Sequence, residues 1–168
     1  IKPGEVSFAH KGVLFLDELA EFPRAVLDAL RQPLESNKIT ISRANSFATY
    51  PADFQLICAM NPCRCGFLGD STKECRKAPI CGEEYKNKIS GPLLDRIDIV
   101  IEVGQFDFFA IQENNLKIES SEIIKQRVSA VRSLQKQRFS QFEELQNISM
   151  LNSKIDGKFL DIFCKIDE

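Results

Sequence analysis

The sequence predicts an α/β fold, a parallel sheet with flanking helices, on three observations. Two short apolar runs, Val13-Leu14-Phe15-Leu16 and Phe54-Gln55-Leu56-Ile57-Cys58-Ala59-Met60, end abruptly in polar residues, and a third run follows from Ile97 to Val103. Unbroken apolar runs of this length fit strands buried on both faces of a parallel sheet. Between the first two runs the apolar spacing is first helical and then alternating, which adds a helix and a hairpin. Apolar residues make up 43 % and charged residues 27 % of the 168, as in an ordinary globular chain long enough to bury a core.

The bulk numbers exclude several classes. A net charge of −2 carries no global basic signature for nucleic acid, although a local basic face remains open. No apolar run approaches the roughly 20 residues that span a bilayer, and no signal peptide opens the chain. It begins Ile-Lys-Pro-Gly, without methionine, and so reads as a piece of something longer. Four of the six cysteines fall between positions 63 and 81, while Cys58 and Cys164 sit in apolar contexts. Without a secretory signal, a reduced cytoplasmic chain with a metal site is the better reading than a disulfide framework.

In chain order, Pro3-Gly4 marks a turn, and Val6 to Ala9 is a short extended or helical piece. His10, the one histidine, has no Ser or Cys partner for nucleophilic chemistry and reads as a structural hydrogen-bonder. The first strand ends in Asp17-Glu18. At the C-terminal end of a parallel strand, where open α/β sheets bind ligands, this is the arrangement of a Walker B element. The first carboxylate then helps hold Mg²⁺ and the second accepts a proton from an attacking water. The alternative is a buried strand running into an acidic turn.

Val26, Leu27, Leu30 and Leu34 fall at helical spacing, with Pro23 in the first turn and Pro33 ending or kinking the helix. Residues 38–42 and 46–50 alternate around Arg43-Ala44-Asn45 and read as a β-hairpin. Its Lys38 and Arg43 could meet a polymer in a pore or simply face water. The second strand ends at Asn61-Pro62. That Asn is either a turn residue or, beside Asp17-Glu18, a group that orients water or a γ-phosphate.

Cys63, Cys65, Cys75 and Cys81 follow with spacing C-x-C-x(9)-C-x(5)-C, a set that can close a tetrahedral Zn²⁺ site or remain unligated. Arg96, just before the third strand, could pair with Asp95 or Asp98, or reach a neighbouring subunit's phosphates as an arginine finger. Residues 104–119 form a linker with an aromatic patch of Phe106, Phe108 and Phe109. The strongest helix runs from Ser120, its N-cap or one residue before it, to about Phe142. Ile124, Val128, Val131, Leu134 and Phe142 make one stripe, opposite a basic face of Lys125, Arg127, Arg132, Lys136 and Arg138. A loop from Asn147 to Ser153 and a short helix from about Asp156 to Cys164 complete the chain.

The run Gly4-Glu5-Val6 with Ala9 to Leu19, Leu30-Arg31-Gln32-Pro33-Leu34-Glu35, Ile41-Ser42-Arg43-Ala44, Ala59-Met60-Asn61-Pro62-Cys63 and Ser90 to Asp98 closely resembles the magnesium-chelatase-like AAA+ ATPases of bacteria, the YifB/ComM group. The resemblance runs essentially end to end. It implies a partial AAA+ P-loop NTPase core over residues 1–104, a linker over 105–119 and the start of a helical lid over 120–168. It implies Asp17 at Mg²⁺, Glu18 as catalytic base, Asn61 as sensor 1, and Arg96 as an arginine finger acting in trans in a homo-oligomeric ring, expected to be a hexamer. The hairpin would be the pre-sensor-1 hairpin pointing into the pore, and the whole protein's task would be ATP-driven DNA branch migration.

This sequence departs from the group's pattern in three ways. No G-x-x-x-x-G-K-[ST] occurs, so the P-loop is expected before residue 1 and the sensor 2 arginine beyond residue 168. Many relatives read P-C-P-C-G followed by C-x-C; here Arg64 replaces the Pro, Lys77 stands at the last expected cysteine, and Cys81 is extra, the ligand with least support. In this ATPase class the P-loop strand lies between the sensor 1 strand and the strand after Arg96. The 168 residues alone are therefore expected to be poorly stable and inactive. A magnesium-chelatase ATPase subunit and a truncated, non-enzymatic, zinc-stabilised interaction module are the rival readings.

Overall fold

A computed structural model describes residues 2–43, 46–70, 73, 75–104, 119–142, 155 and 157–163. The chain divides into two units, Ile1–Phe106 and Asp107–Glu168.

In the first unit a single helical turn, α1 (Glu5–Phe8), leads into β1 (Val13–Leu16). β1 pairs in parallel with β4 (Gln55–Cys58), Val13 opposite Gln55 and Leu16 opposite Cys58. The β4 strand is shorter at both ends than its apolar run. His10 has the expected structural role: its Nδ1 accepts the Asp53 N–H at 3.1 Å. Lys11 pairs with the Asp53 carboxylate at 2.5 Å, fixing the register at the strands' entry.

Burial on both faces is not found. Leu14, Leu16 and Cys58 lie against a core of Leu19, Leu27, Leu30, Ile89 and Leu93, while Val13, Phe15 and Ile57 are 53 %, 58 % and 42 % exposed. The reason is the strand's period of two: alternate residues meet the core, and no element among the described residues covers the other face.

A 3₁₀ turn (Leu19–Glu21) precedes α2 (Arg24–Ala29) and α3 (Arg31–Ser36), which replace the single expected helix. Pro33 neither ends nor kinks it. The break at Leu30 leaves Pro33 in the first turn of α3, where a missing N–H costs nothing, and Pro33 is buried there. Asn37, at φ 56°, ends α3.

The hairpin forms as expected, β2 (Lys38–Arg43) antiparallel to β3 (Ser46–Pro51), with its tip outside the described residues. The Thr40 and Thr49 hydroxyls meet across it at 3.2 Å, and the Ala52 N–H to Asn37 carbonyl bond closes its base. After the cysteine loop come α4 (Ile80–Lys86) and α5 (Gly91–Leu94). Ser90 ties α5 to α2 through a 2.5 Å bond from its hydroxyl to Asp28.

The expected third strand is not one. Residues 97–104 have no strand pairing, and Ile99, Val100, Ile101 and Val103 are 75–77 % exposed. Alternation and β-branching make a segment ready to pair, but a strand exists only with a partner, and none of the described residues supplies one.

In the second unit, α6 (Ser121–Phe139) starts at the Ser120 N-cap, whose Oγ accepts the Ile123 N–H, and ends at Phe139 rather than Phe142. Its stripe is not buried: Ile124, Val128, Val131 and Leu134 are 45–61 % exposed. Burial is confined to its end, where Phe139, Phe142, Phe159 and Phe163 make edge-on and stacked contacts with α7 (Gly157–Phe163). The aromatic linker patch and the 147–153 loop fall outside the described residues. Among those described, no helix is long and apolar enough to cross a membrane.

Candidate active site and thiol cluster

Two backbone bonds continue the β1–β4 pairing past the strand ends: Ala59 N–H to the Leu16 carbonyl at 2.9 Å, and Leu19 N–H to the Ala59 carbonyl at 3.0 Å. Leu16 and Leu19 are both held by Ala59, so Asp17 and Glu18 are looped out between them. The loop requires Glu18 at φ 50°, a left-handed conformation that a side chain adopts at a cost of about 1–2 kcal/mol. The Glu18 N–H is satisfied by Asp17 Oδ1 at 2.8 Å. Both residues are exposed, and neither takes part in an ion pair among the described residues. Asn61, also exposed, lies two residues beyond Ala59 on the neighbouring strand end. The three sequence-predicted residues are therefore brought to one edge of the parallel pair. Two exposed carboxylates outside any ion pair among the described residues suit a hard divalent cation and its water.

Arg96 is elsewhere. It follows α5, donates from Nη1 to the Pro92 carbonyl, and pairs through Nη2 with Glu35 of α3 rather than with Asp95 or Asp98. Glu35 stands inside a quoted motif, but nothing in the sequence connects it to an arginine 61 positions on.

A second group escaped sequence reasoning. Glu21, just after the acidic pair, accepts from Lys88 at 3.1 Å and from the Tyr85 hydroxyl. The Lys88 hydrogen bond, then that of Tyr85, holds the Glu21 carboxyl below its ordinary value. Burial, then the Glu21 carboxylate, pushes the Tyr85 phenol up. Lys88 also lies 4.8 Å from the Tyr85 ring centroid. These contacts fasten α4 to the turn that carries the acidic pair.

The four loop thiols converge. Cys63 and Cys65 sulfurs are 3.3 Å apart, Cys65 and Cys75 3.4 Å, Cys75 and Cys81 2.9 Å. Cys63, Cys75 and Cys81 sulfurs all lie within 4.8 Å of one another. Cys81, the ligand with least support from sequence, is buried inside this group, whereas Cys65 is exposed at its edge. Burial raises the Cys63 thiol, but hydrogen bonds from Cys65, the Leu68 backbone and Cys81 outweigh it and bring it to about 6. The Phe67 backbone favours the Cys65 thiolate, yet the neighbouring Cys63 and Cys75 sulfurs push it up. Cys75 is raised chiefly by Cys81.

Residues 1–110 match the family model described as magnesium chelatase, subunit ChlI. Competence protein ComM of Haemophilus influenzae is 42 % identical over 99 % of this chain and 31 % of its own length. YifB of Escherichia coli, described as uncharacterized, is 43 % identical over 98 % of this chain and 30 % of its own. An uncharacterized MCM-type protein of Methanocaldococcus jannaschii is 29 % identical over 95 % of this chain and 21 % of its own length. The chain thus spans about a third of the first two relatives.

Proposed function

The chain belongs to the magnesium-chelatase-like family that includes YifB and ComM, and from that premise we propose that it is part of a cytoplasmic AAA+ motor hydrolysing Mg·ATP at the interfaces of a homo-hexameric ring. The reading assigns residues 1–104 to the P-loop ATPase core and 120–168 to the start of a helical lid. The observation that carries it is the looped-out Asp17-Glu18 pair at the end of β1 with Asn61 at the end of β4.

Asp17 fits a water-mediated hold on Mg²⁺, which supplies charge neutralisation on the phosphates when bound. Glu18 takes the proton of the attacking water, and Asn61 orients that water by donating and accepting hydrogen bonds. Arg96 of one protomer stabilises charge at the neighbour's site, a role that needs a guanidinium held in place. Glu35 and the Pro92 carbonyl provide that hold. The phosphate cradle needs glycine-rich backbone and a lysine that are not within these 168 residues.

Identity to a competence protein supports DNA as the polymer moved, with remodelling or branch migration as the task. The description of the matched model favours a second reading, a chelatase ATPase subunit. Hydrolysis by the whole protein, with and without branched DNA and beside Glu18→Gln, separates them. DNA-stimulated turnover lost in the variant is expected. Turnover indifferent to DNA would favour the chelatase subunit, and no turnover in a folded oligomer would leave a non-enzymatic interaction module.

A further inference from the structure

We infer that Cys63, Cys65, Cys75 and Cys81 bind one Zn²⁺ that staples the C-terminal end of β4 to α4, and so fixes the backbone carrying Asn61. The metal site stands on the thiols alone; its effect on catalysis rests on the motor reading.

The ligands come from both sides of a long loop. Cys63 directly follows Asn61-Pro62, Cys65 and Cys75 lie within the loop, and Cys81 is in the first turn of α4. A tetrahedral site with Zn–S bonds of about 2.3 Å places its sulfurs roughly 3.8 Å apart. The three successive separations are 2.9–3.4 Å, so those pairs need to part by less than about 1 Å, while Cys65, outside the group of three sulfurs that lie within 4.8 Å of one another, has to swing inward towards Cys81. Sulfurs this close suit a single ion rather than a cluster of several metals.

The loop gives two independent reasons to expect a ligand. First, it has almost no core of its own: between residues 61 and 79, Cys63 and Asp70 are the buried residues among those described. It folds through tight turns, with Gly66 and Gly69 at φ 79° and 86°, and a stretch so long without apolar burial needs a cross-link to hold one shape. Second, the sulfurs of Cys63, Cys75 and Cys81, drawn from both ends of the loop, lie within 4.8 Å of one another, with Cys63 and Cys81 buried. Arg64, Lys73, Arg76 and Lys77 in the same stretch offset the net negative charge of a Zn²⁺ with four thiolates.

The consequence is geometric. α4 is already tied to the turn after Asp17-Glu18 through Tyr85, Lys88 and Glu21. Joining α4 to Cys63 as well closes a circuit from the acidic pair through α4 to Asn61. Close approach is possible because position 82 is glycine, where a Cβ would stand 3.3 Å from the Pro62 carbonyl oxygen and 2.5 Å from Leu68 Cδ2.

The test uses the whole protein purified under reducing conditions, with Zn²⁺ alone as probe and Co²⁺ as its spectroscopic substitute. One zinc per chain is expected, with the visible absorption of tetrahedral cobalt–thiolate on exchange. Cys75→Ser and Cys81→Ser should each weaken retention by more than about 100-fold, beyond the roughly 10–100-fold that a supporting residue costs. Cys65→Ser changes an exposed side chain and reads ligation without disturbing packing. Cys58→Ser, in the sheet-facing core, should leave binding unchanged. Chelation should speed hydrogen exchange at 61–63 and 80–89 and leave the 38–51 hairpin unaffected. Absence of stoichiometric metal, retention of zinc in Cys65→Ser or Cys81→Ser, or uniform exchange changes on chelation would overturn the inference. None of these readouts depends on ATP hydrolysis.

Discussion

The Glu18 backbone links geometry to function at a single residue. Its positive φ costs about 1–2 kcal/mol, and glycine would remove that cost while adding roughly 0.5–1 kcal/mol of chain entropy. Glu18→Gly is therefore expected to leave stability unchanged or raise it by up to about 1.5 kcal/mol, and to abolish turnover in the whole protein. A clear loss of stability in a thermal melt would show that Glu18 is structural. For Arg96→Ala a turnover loss on the order of 10³-fold is expected if it acts as a finger, with Arg96→Lys no rescue because lysine lacks the planar fork. Glu35→Gln should lower turnover less, without raising the KM for ATP. The Glu21 carboxyl is depressed in the folded state, so its contribution to stability is present above the ordinary value of 4.5 and fades as pH falls through its lowered one. Lys88→Met should flatten the acid limb of a stability–pH curve, and an unchanged limb would contradict that assignment. Asp17-Glu18 was legible because apolar run and acidic pair are adjacent in the chain. Glu35 and Glu21 were not, because their partners are distant in sequence and only packing joins them.

At the scale of elements, what could be read was pattern, and what was missed was coverage. The hairpin, both parallel strands and the Ser120-capped helix follow from local periodicity and caps. The break at Leu30 does not: it depends on Leu27 and Leu30 both reaching one core, which turns two short helices instead of one long one. Leu27 is fully buried, so Leu27→Ala should cost about 2–5 kcal/mol, measured by denaturant melting. Val26, one residue away, is 51 % exposed, and Val26→Ala should move the midpoint far less. Similar costs at the two positions would place the core elsewhere. Position 82 offers a second check on an element contact. Gly82→Ala can be met by rotation of the Leu68 side chain, but Gly82→Val drives a branched carbon at the Pro62 carbonyl and should loosen α4 from the end of β4.

At the scale of the molecule, the first unit presents unfinished β-structure. β1 and β4 form a two-stranded sheet whose Val13, Phe15 and Ile57 face stays exposed, and Ile99, Val100, Ile101 and Val103 are exposed in a segment with no strand pairing among the described residues. The core covers one face of the two-stranded sheet only, and an unpaired apolar segment is a template for association with other chains. On the proposed reading, a P-loop strand lying between β4 and the segment after Arg96 would account for both features at once. The 168 residues alone are thus expected to bind a hydrophobic dye, to self-associate in concentration-dependent sedimentation, and to show no ATP turnover. Ile99→Lys with Ile101→Lys should suppress the association, because charge on an unpaired strand blocks edge pairing. On the proposed reading the segment is buried in the whole protein, and the same pair placed there should destabilise it. A compact, monomeric 168-residue chain that hydrolyses ATP would refute the partial-core reading. So would a whole protein indifferent to lysine at both positions.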